Sequence, residues 1–175
     1  MLEGRNLWEL VEARAAASPD AVMTVDESGQ TVTYGDYRAS AERVAAELAA
    51  EGVGEGDVVS WMLPTWHGSL VLIAALCRLG AIQNPIIPIY RDREVGFVTG
   101  QAGTKVLIVP GEWRGFDYTA MAERIAADAA APPKVVVASK ALPEADPTTL
   151  GPAPAPPATR ADEPVTWLFY TSGTT

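Results

Sequence analysis

Asp57-Val58-Val59-Ser60-Trp61-Met62-Leu63-Pro64, a largely apolar stretch from His67 to Leu79 closed by Gly80, and then Ala81-Ile82-Gln83-Asn84-Pro85-Ile86-Ile87 form the run of sequence that decides the fold. The first piece is short and almost continuously apolar before a proline, the pattern of a strand buried on both faces of a parallel sheet. The second is apolar on most sides and predicts a helix that stops at the glycine. The third predicts a strand leading into a loop. A strand, a helix and a strand in immediate succession imply a crossover between parallel neighbours.

The alternation continues downstream. Arg91 to Gln101 carries Val95, Phe97 and Val98 with charges opposite, and Lys105-Val106-Leu107-Ile108-Val109 is a β-rich run up to Pro110-Gly111. Tyr118 to Ala130 predicts an alanine-rich helix with Met121 and Ile125 inward, followed by a strand over Lys134-Val135-Val136-Val137-Ala138. Upstream, Leu7, Leu10, Val11 and Arg14 fall at helical spacing until Ser18-Pro19-Asp20, where proline disfavours helix in the residue before it. Ala21–Val25 and Gln30–Thr33 are β-prone and separated by the turn cluster Asp26-Glu27-Ser28-Gly29, which predicts a hairpin. Thr33 and Asp36 stand at cap spacing before a helix whose face is Tyr37, Ala41, Val44, Ala45 and Leu48, with Gly52 as its stop. The expected fold class is therefore α/β, a mostly parallel sheet with helices on both faces.

From Leu142 to Pro164 the periodicity disappears and half of the 14 prolines accumulate. The chain divides into an α/β unit over 1–141, a proline-rich linker or surface loop over 142–163, and a strand with a polar tail over 164–175. Pro164 to Tyr170 predicts a strand, and Thr171-Ser172-Gly173-Thr174-Thr175 follows it. A parallel strand normally feeds a helix, so the chain is expected to be a piece of a larger domain.

Length, composition and charge narrow the function classes. The 175 residues are 48% hydrophobic and 20% charged, enough for one core without a disulfide or metal staple. The net charge of −9 argues against nucleic-acid binding, which needs clustered Lys and Arg against phosphate. Cys77 and His67 are the only cysteine and histidine, too few for an intramolecular disulfide or a thiolate-rich zinc site. The N-terminus carries no basic flank before an apolar stretch. The longest apolar run, Leu70 to Cys77, is far shorter than the ~18 residues of a membrane span. A soluble, cytoplasmic protein is expected.

The tail carries the chemistry. A phosphate-binding loop needs converging backbone N–H groups, small side chains for close approach, and hydroxyl donors. Thr171, Ser172, Gly173, Thr174 and Thr175 supply all three after a strand. Together with Trp167-Leu168-Phe169-Tyr170 they resemble the opening of the phosphate loop of the adenylate-forming enzymes, which comprise acyl-CoA synthetases, adenylation domains of nonribosomal peptide synthetases and luciferases. That family's loop reads Tyr-Thr-Ser-Gly-Thr-Thr-Gly-x-Pro-Lys-Gly, of which this sequence holds the first six residues. Val32-Thr33-Tyr34-Gly35-Asp36-Tyr37 is similar to an early family signature, with Tyr37 where leucine is usual. Gly56-Asp57-Val58-Val59 followed by Leu63-Pro64 also resembles the family. So does Leu76-Cys77-Arg78-Leu79-Gly80-Ala81 running into Asn84-Pro85 and Tyr90-Arg91-Asp92-Arg93-Glu94-Val95.

The resemblance implies two-step chemistry with ATP, Mg2+ and coenzyme A, in which a small-molecule carboxylic acid becomes an acyl-adenylate and then a CoA thioester. It implies ATP contacts for Thr171, Ser172, Gly173, Thr174 and Thr175, with the family's catalytic residues, including a C-terminal lysine, lying beyond Thr175. The 175 residues alone are then expected to be inactive. The Asn84–Val95 stretch resembles ligases of medium-chain, alicyclic or aryl acids, on the side of fatty acid metabolism, and a homo-oligomer is compatible with the resemblance. Two alternatives stay open: an adenylating enzyme that loads a carrier-protein thiol, and a non-catalytic binding or assembly module whose strand edges a partner covers.

Other residues carry less. Gly52-Val53-Gly54-Glu55-Gly56 lies between a helix and a strand, the reverse of the dinucleotide-binding order, and reads as a turn. His67 reads as a surface or capping residue and Cys77 as a small buried hydrophobe. Arg91, Asp92, Arg93 and Glu94 open a helix with a solvated charged face. The five tryptophans read as core or interface packing.

Overall fold

The computed structural model describes residues 4–139, 141–156 and 163–171. In chain order they form α1 (Leu7–Ala17), β1 (Val22–Val25), β2 (Thr31–Thr33), α2 (Tyr34–Ala50), β3 (Val58–Trp61), α3 (His67–Leu79) and β4 (Ile82–Pro85). They continue as α4 (Asp92–Ala102), β5 (Val106–Val109), β6 (Glu112–Trp113), β7 (Phe116–Asp117), α5 (Tyr118–Asp128) and β8 (Lys134–Val137). The expected helix caps form. Asn6 accepts from the Glu9 N–H at 2.8 Å, and Thr33 accepts from the Asp36 N–H at 3.1 Å. Gly80 closes α3 with φ of 68°, the left-handed geometry its place in the sequence predicts.

The main sheet has the order β4-β3-β5-β8 and all of its pairs are parallel. Alternation along β5 shows how both faces are filled. Val106 and Ile108 join Val44, Leu48, Leu72 and Leu76 of α2 and α3. Leu107 and Val109 join Val95, Val98, Met121 and Ile125 of α4 and α5. A strand buried on both faces cannot show polar alternation, which is why β5 reads as a solid apolar run. The third cluster, around Trp8, Val11, Tyr37, Ala41 and Ala74, seats α1 on α2 and α3. The hairpin β1–β2 forms where expected and is antiparallel.

Two features differ from the expectation. The strand read over Pro164–Tyr170 reduces to one parallel bridge, Trp167 to Gln83 of β4. The cause lies in β4: the next rung toward Tyr170 needs an N–H from Pro85, and proline has none. The opposite rung needs the Ala81 N–H, which instead donates to the Leu76 carbonyl at 3.0 Å. A second hairpin, β6–β7, was not apparent from sequence. Its strands are two residues each, and its loop is Arg114-Gly115 with φ of 50° and 73°, the two positive values a tight primed turn requires.

Arg91, Asp92, Arg93 and Glu94 are exposed at the start of α4, as read, and two of them also have partners. The Arg91 guanidinium donates to the Pro88 and Tyr90 carbonyls at 2.9 and 2.8 Å and lies 4.1 Å from the Phe116 ring centre, so it ties the β4 loop to the hairpin. Asp92 meets Arg124 of α5 through two hydrogen bonds, 2.8 and 3.2 Å long. The proline-rich segment is laid down on α2 and α3: Glu144 accepts from Arg43 Nε at 2.6 Å, the Gly151 carbonyl accepts from Arg78, and Leu142 and Leu150 pack on the first core cluster.

The Asp92–Arg124 pair yields a pH prediction. Hydrogen bonding from Arg124 holds the Asp92 carboxyl below its ordinary value of 3.8, against a smaller opposing effect of burial. A depressed folded pKa contributes stability above the unfolded value and loses it as pH falls through the folded one. Both side chains are about half exposed, so the contribution is under ~1 kcal/mol. Urea unfolding should therefore find Arg124→Met slightly less stable than wild type at pH 6, with the gap closing as the pH falls below 3.8 and through the lower folded value. A gap that persists at low pH would assign the effect to packing of the arginine stem.

Candidate functional site

In an open parallel sheet, ligands bind beyond the carboxyl ends of the strands, where the strand order reverses. Here the chain leaves β3 for β4 on one side and returns past β3 to β5 on the other, so the reversal lies between β3 and β5. Beyond their carboxyl ends the structure holds a cleft of about 690 Å3 lined by Thr24, Asp26, Trp66, His67, Leu70 and Trp113. The loop after β3 supplies Trp66, α3 starts at His67, and β6 after β5 supplies Trp113. The β1–β2 hairpin forms the remaining wall.

His67 sits at the start of α3, as its reading as a capping or surface residue allows, but it has specific partners. Its Nδ1 shares a hydrogen bond of 2.8 Å with Thr24 Oγ1, and its Nε2 lies 3.9 Å from Asp26 Oδ2. That nitrogen is shielded from solvent and has no hydrogen-bond partner among the described residues. The hydrogen bond from the Ser28 hydroxyl at 2.7 Å pulls the Asp26 carboxyl below 3.8, burial opposes it, and the backbone N–H groups of Gln30 and Ser28 add to the lowering. Asp26 therefore stays anionic at neutral pH. Thr24 and His67 are 43 residues apart, and no local pattern signals such a contact.

Deeper in the sheet, β3 and β4 place polar groups between strands. Asn84 Nδ2 donates to Ser60 Oγ at 2.8 Å, and Ser60 Oγ shares a 2.6 Å hydrogen bond with Thr104 Oγ1. All three residues are buried. Cys77 is an unreactive position: burial pushes its thiol up to about 11, although the hydrogen bond from Gln83 pulls the other way. Tyr37 is likewise pushed up to about 12 by burial, and its hydroxyl donates to the Leu70 carbonyl at 2.9 Å. Gly52–Gly56 is the turn between α2 and β3, as read.

Of the five tail residues singled out for phosphate contacts, Thr171 is described and exposed, whereas Ser172, Gly173, Thr174 and Thr175 lie outside the described residues. The Trp167 bridge is parallel to β4, so the segment runs toward the carboxyl edge of the sheet, the edge that also bears the cleft. On the way, Trp167 packs on the first core cluster and Tyr170 on the second. Among the described residues, no group of three or more His, Cys, Asp or Glu could hold a metal ion. No described helix is long and apolar enough to cross a membrane.

The chain is similar to characterised proteins in both sequence and fold. It is 33% identical over 124 residues to the 2-hydroxy-7-methoxy-5-methyl-1-naphthoate–CoA ligase of Streptomyces carzinostaticus, covering 71% of this chain and 22% of that one. It is 33% identical over 170 residues to a probable non-canonical nonribosomal peptide synthetase, CymA, of Salinispora arenicola, covering 97% of this chain and 2% of that one. The inhibitor-bound N-terminal domain of FACL13 from Mycobacterium tuberculosis superposes with a TM-score of 0.73 at 26% identity, over 97% of this chain and 42% of that structure's chain. The chain thus spans a minor part of each relative's length, and its sheet matches the N-terminal subdomain of adenylate-forming enzymes. The AMP-binding enzyme family matches residues 11–175, and the chain belongs to that family.

Proposed function

We propose that the chain is the N-terminal part of an ATP-dependent carboxylic acid–CoA ligase. The observation that supports the reading is the parallel pairing of Trp167 with Gln83, by which the described segment up to Thr171 runs toward the sheet edge where ligands of open α/β folds bind. In the first step a carboxylate oxygen of the acid attacks the α-phosphorus of ATP. A C–O–P linkage forms, the bond between the α-phosphorus and the oxygen that bridges it to the β-phosphorus breaks, and pyrophosphate leaves with that oxygen. In the second step the coenzyme A sulfur bonds to the acyl carbon, the C–O bond to AMP breaks, and the thiol proton is lost.

Within this chemistry the chain's task is electrostatic. Thr171, Ser172, Gly173, Thr174 and Thr175 present hydroxyls and backbone N–H groups to the β- and γ-phosphates, where negative charge accumulates as pyrophosphate departs. No magnesium ligand is assigned to the chain, and the ion accompanies the nucleotide. No residue of the 175 is assigned a proton-transfer role, so the chain by itself is inactive in this reading. A second reading, loading of a carrier-protein thiol, is favoured by the similarity to the peptide synthetase over 97% of the chain.

ATP–pyrophosphate exchange across a panel of carboxylic acids tests the reading. The longer polypeptide that continues past Thr175 should exchange label with at least one acid, and the 175 residues alone should not. Clear exchange by the 175 residues would overturn the assignment of the essential groups to the remainder. Thioester formation with free coenzyme A, against loading of a phosphopantetheinylated carrier protein, separates the two acceptors.

A further inference from the structure

Gln83 is fully buried on β4 and faces α3, a direction otherwise taken by aliphatic side chains. Its Nε2 donates to the Ile73 carbonyl at 3.2 Å and to Cys77 Sγ at 3.1 Å, both on α3. Its Oε1 is buried and has no hydrogen-bond partner among the described residues. A half-satisfied buried amide is worse for stability than a hydrocarbon of the same shape, so packing does not account for this residue.

The backbone of Gln83 supplies the reason. Its N–H donates to the Thr166 carbonyl at 2.8 Å and its carbonyl accepts from the Leu168 N–H at 2.8 Å. Neither neighbour can take over this pairing, because the Ala81 N–H is committed to Leu76 and Pro85 has none. One residue therefore sets both the register and the depth of the segment that leads to Thr171.

We infer that Gln83 is a positioning residue for the nucleotide loop: its side chain locks one backbone unit of β4 against α3, and that unit makes the only strand pairing, among the described residues, of the segment that enters the loop. Gln83 itself touches no nucleotide. The inference rests on the reading of 171–175 as the phosphate loop of an adenylating enzyme. A small misplacement of a binding loop weakens the contacts it makes without unfolding the sheet that bears it.

The test uses Gln83→Leu and Gln83→Met, which keep the volume and remove both polar atoms. In the 175-residue chain, hydrogen exchange of the Leu168 amide should speed up by about tenfold or more, while the β5 amides keep their protection. In the longer polypeptide, kcat for ATP–pyrophosphate exchange should fall about tenfold and KM for the acid should stay within about twofold. Unchanged protection at Leu168 would overturn the anchoring. An equal loss of protection in β5 from both variants, with all kinetic parameters falling together, would make Gln83 a core residue only and also overturn it. Loss of protection at Leu168 with an unmoved kcat would leave the anchor standing and overturn the phosphate-loop reading instead.

Discussion

Replacing Ser172 and Thr174 together by alanine in the longer adenylating polypeptide should cut ATP–pyrophosphate exchange by about 10²–10³-fold, the cost of removing a preorganised donor from developing negative charge. The loss should fall mainly on kcat. Ground-state ATP already carries its phosphate charges and shares them with magnesium and water. The extra charge that appears on the β-phosphate as the bridging bond breaks is present only in the transition state, and an interaction stronger there than in the ground state is expressed in the rate. The double variant should still bind ATP, and its thermal unfolding should match wild type, since these hydroxyls follow Tyr170, the last described residue packed on the core. An exchange rate within threefold of wild type would remove the two hydroxyls from the phosphate contacts and leave the backbone N–H groups and the Thr171 and Thr175 hydroxyls as the loop's donors.

Much of this arrangement was legible because the sheet is parallel and covered on both faces. β5 had to be apolar at every position, and α3 had to be apolar on most sides because it packs on the sheet as well as on α2 and α1. Gly80 and Gly103 mark helix ends for a local reason, a left-handed φ that other residues rarely adopt. What escaped the sequence is non-local or very short. The β6–β7 hairpin pairs only two residues per strand and turns on Arg114, which carries no turn signal of its own. Arg91 is exposed as read, but its partners, the Phe116 ring and two carbonyls, belong to that hairpin and to the preceding loop, so no local pattern signals them. The Trp167 segment has the composition of a strand, but its pairing is decided by what β4 can offer, and Pro85 withholds a rung. The cleft was invisible for the same reason as the His67–Thr24 contact: it forms where three loops separated in sequence converge on the ends of β3 and β5.

The order in which sheet and loop depend on each other follows from α3. This helix carries Ile73 and Cys77, the partners of Gln83, and it fills the space between the sheet and α2. Leu76 stands between those two partners in sequence, is fully buried, and belongs to the first core cluster with Val59 and Val106. Leu76→Ala should therefore destabilise the chain by about 2–5 kcal/mol, a transfer loss plus the cavity that a close-packed layer cannot fill. Leu7→Ala, at 39% exposure on α1, should cost under ~1 kcal/mol in the same measurement. Urea titration reads both: the Leu76 variant should show a lowered midpoint with an unchanged slope, because the surface exposed on unfolding stays the same. A loss below about 1 kcal/mol would mean that α3 relaxes into the void, so the layer that holds Gln83 would be compliant, not rigid. Since a domain of this kind has only about 5–15 kcal/mol in total, the expected loss is a large share of it. It acts on the whole sheet, whereas a change at Gln83 acts on one rung. The two variants thus separate a loop that fails because its support has melted from one that fails because its register has slipped.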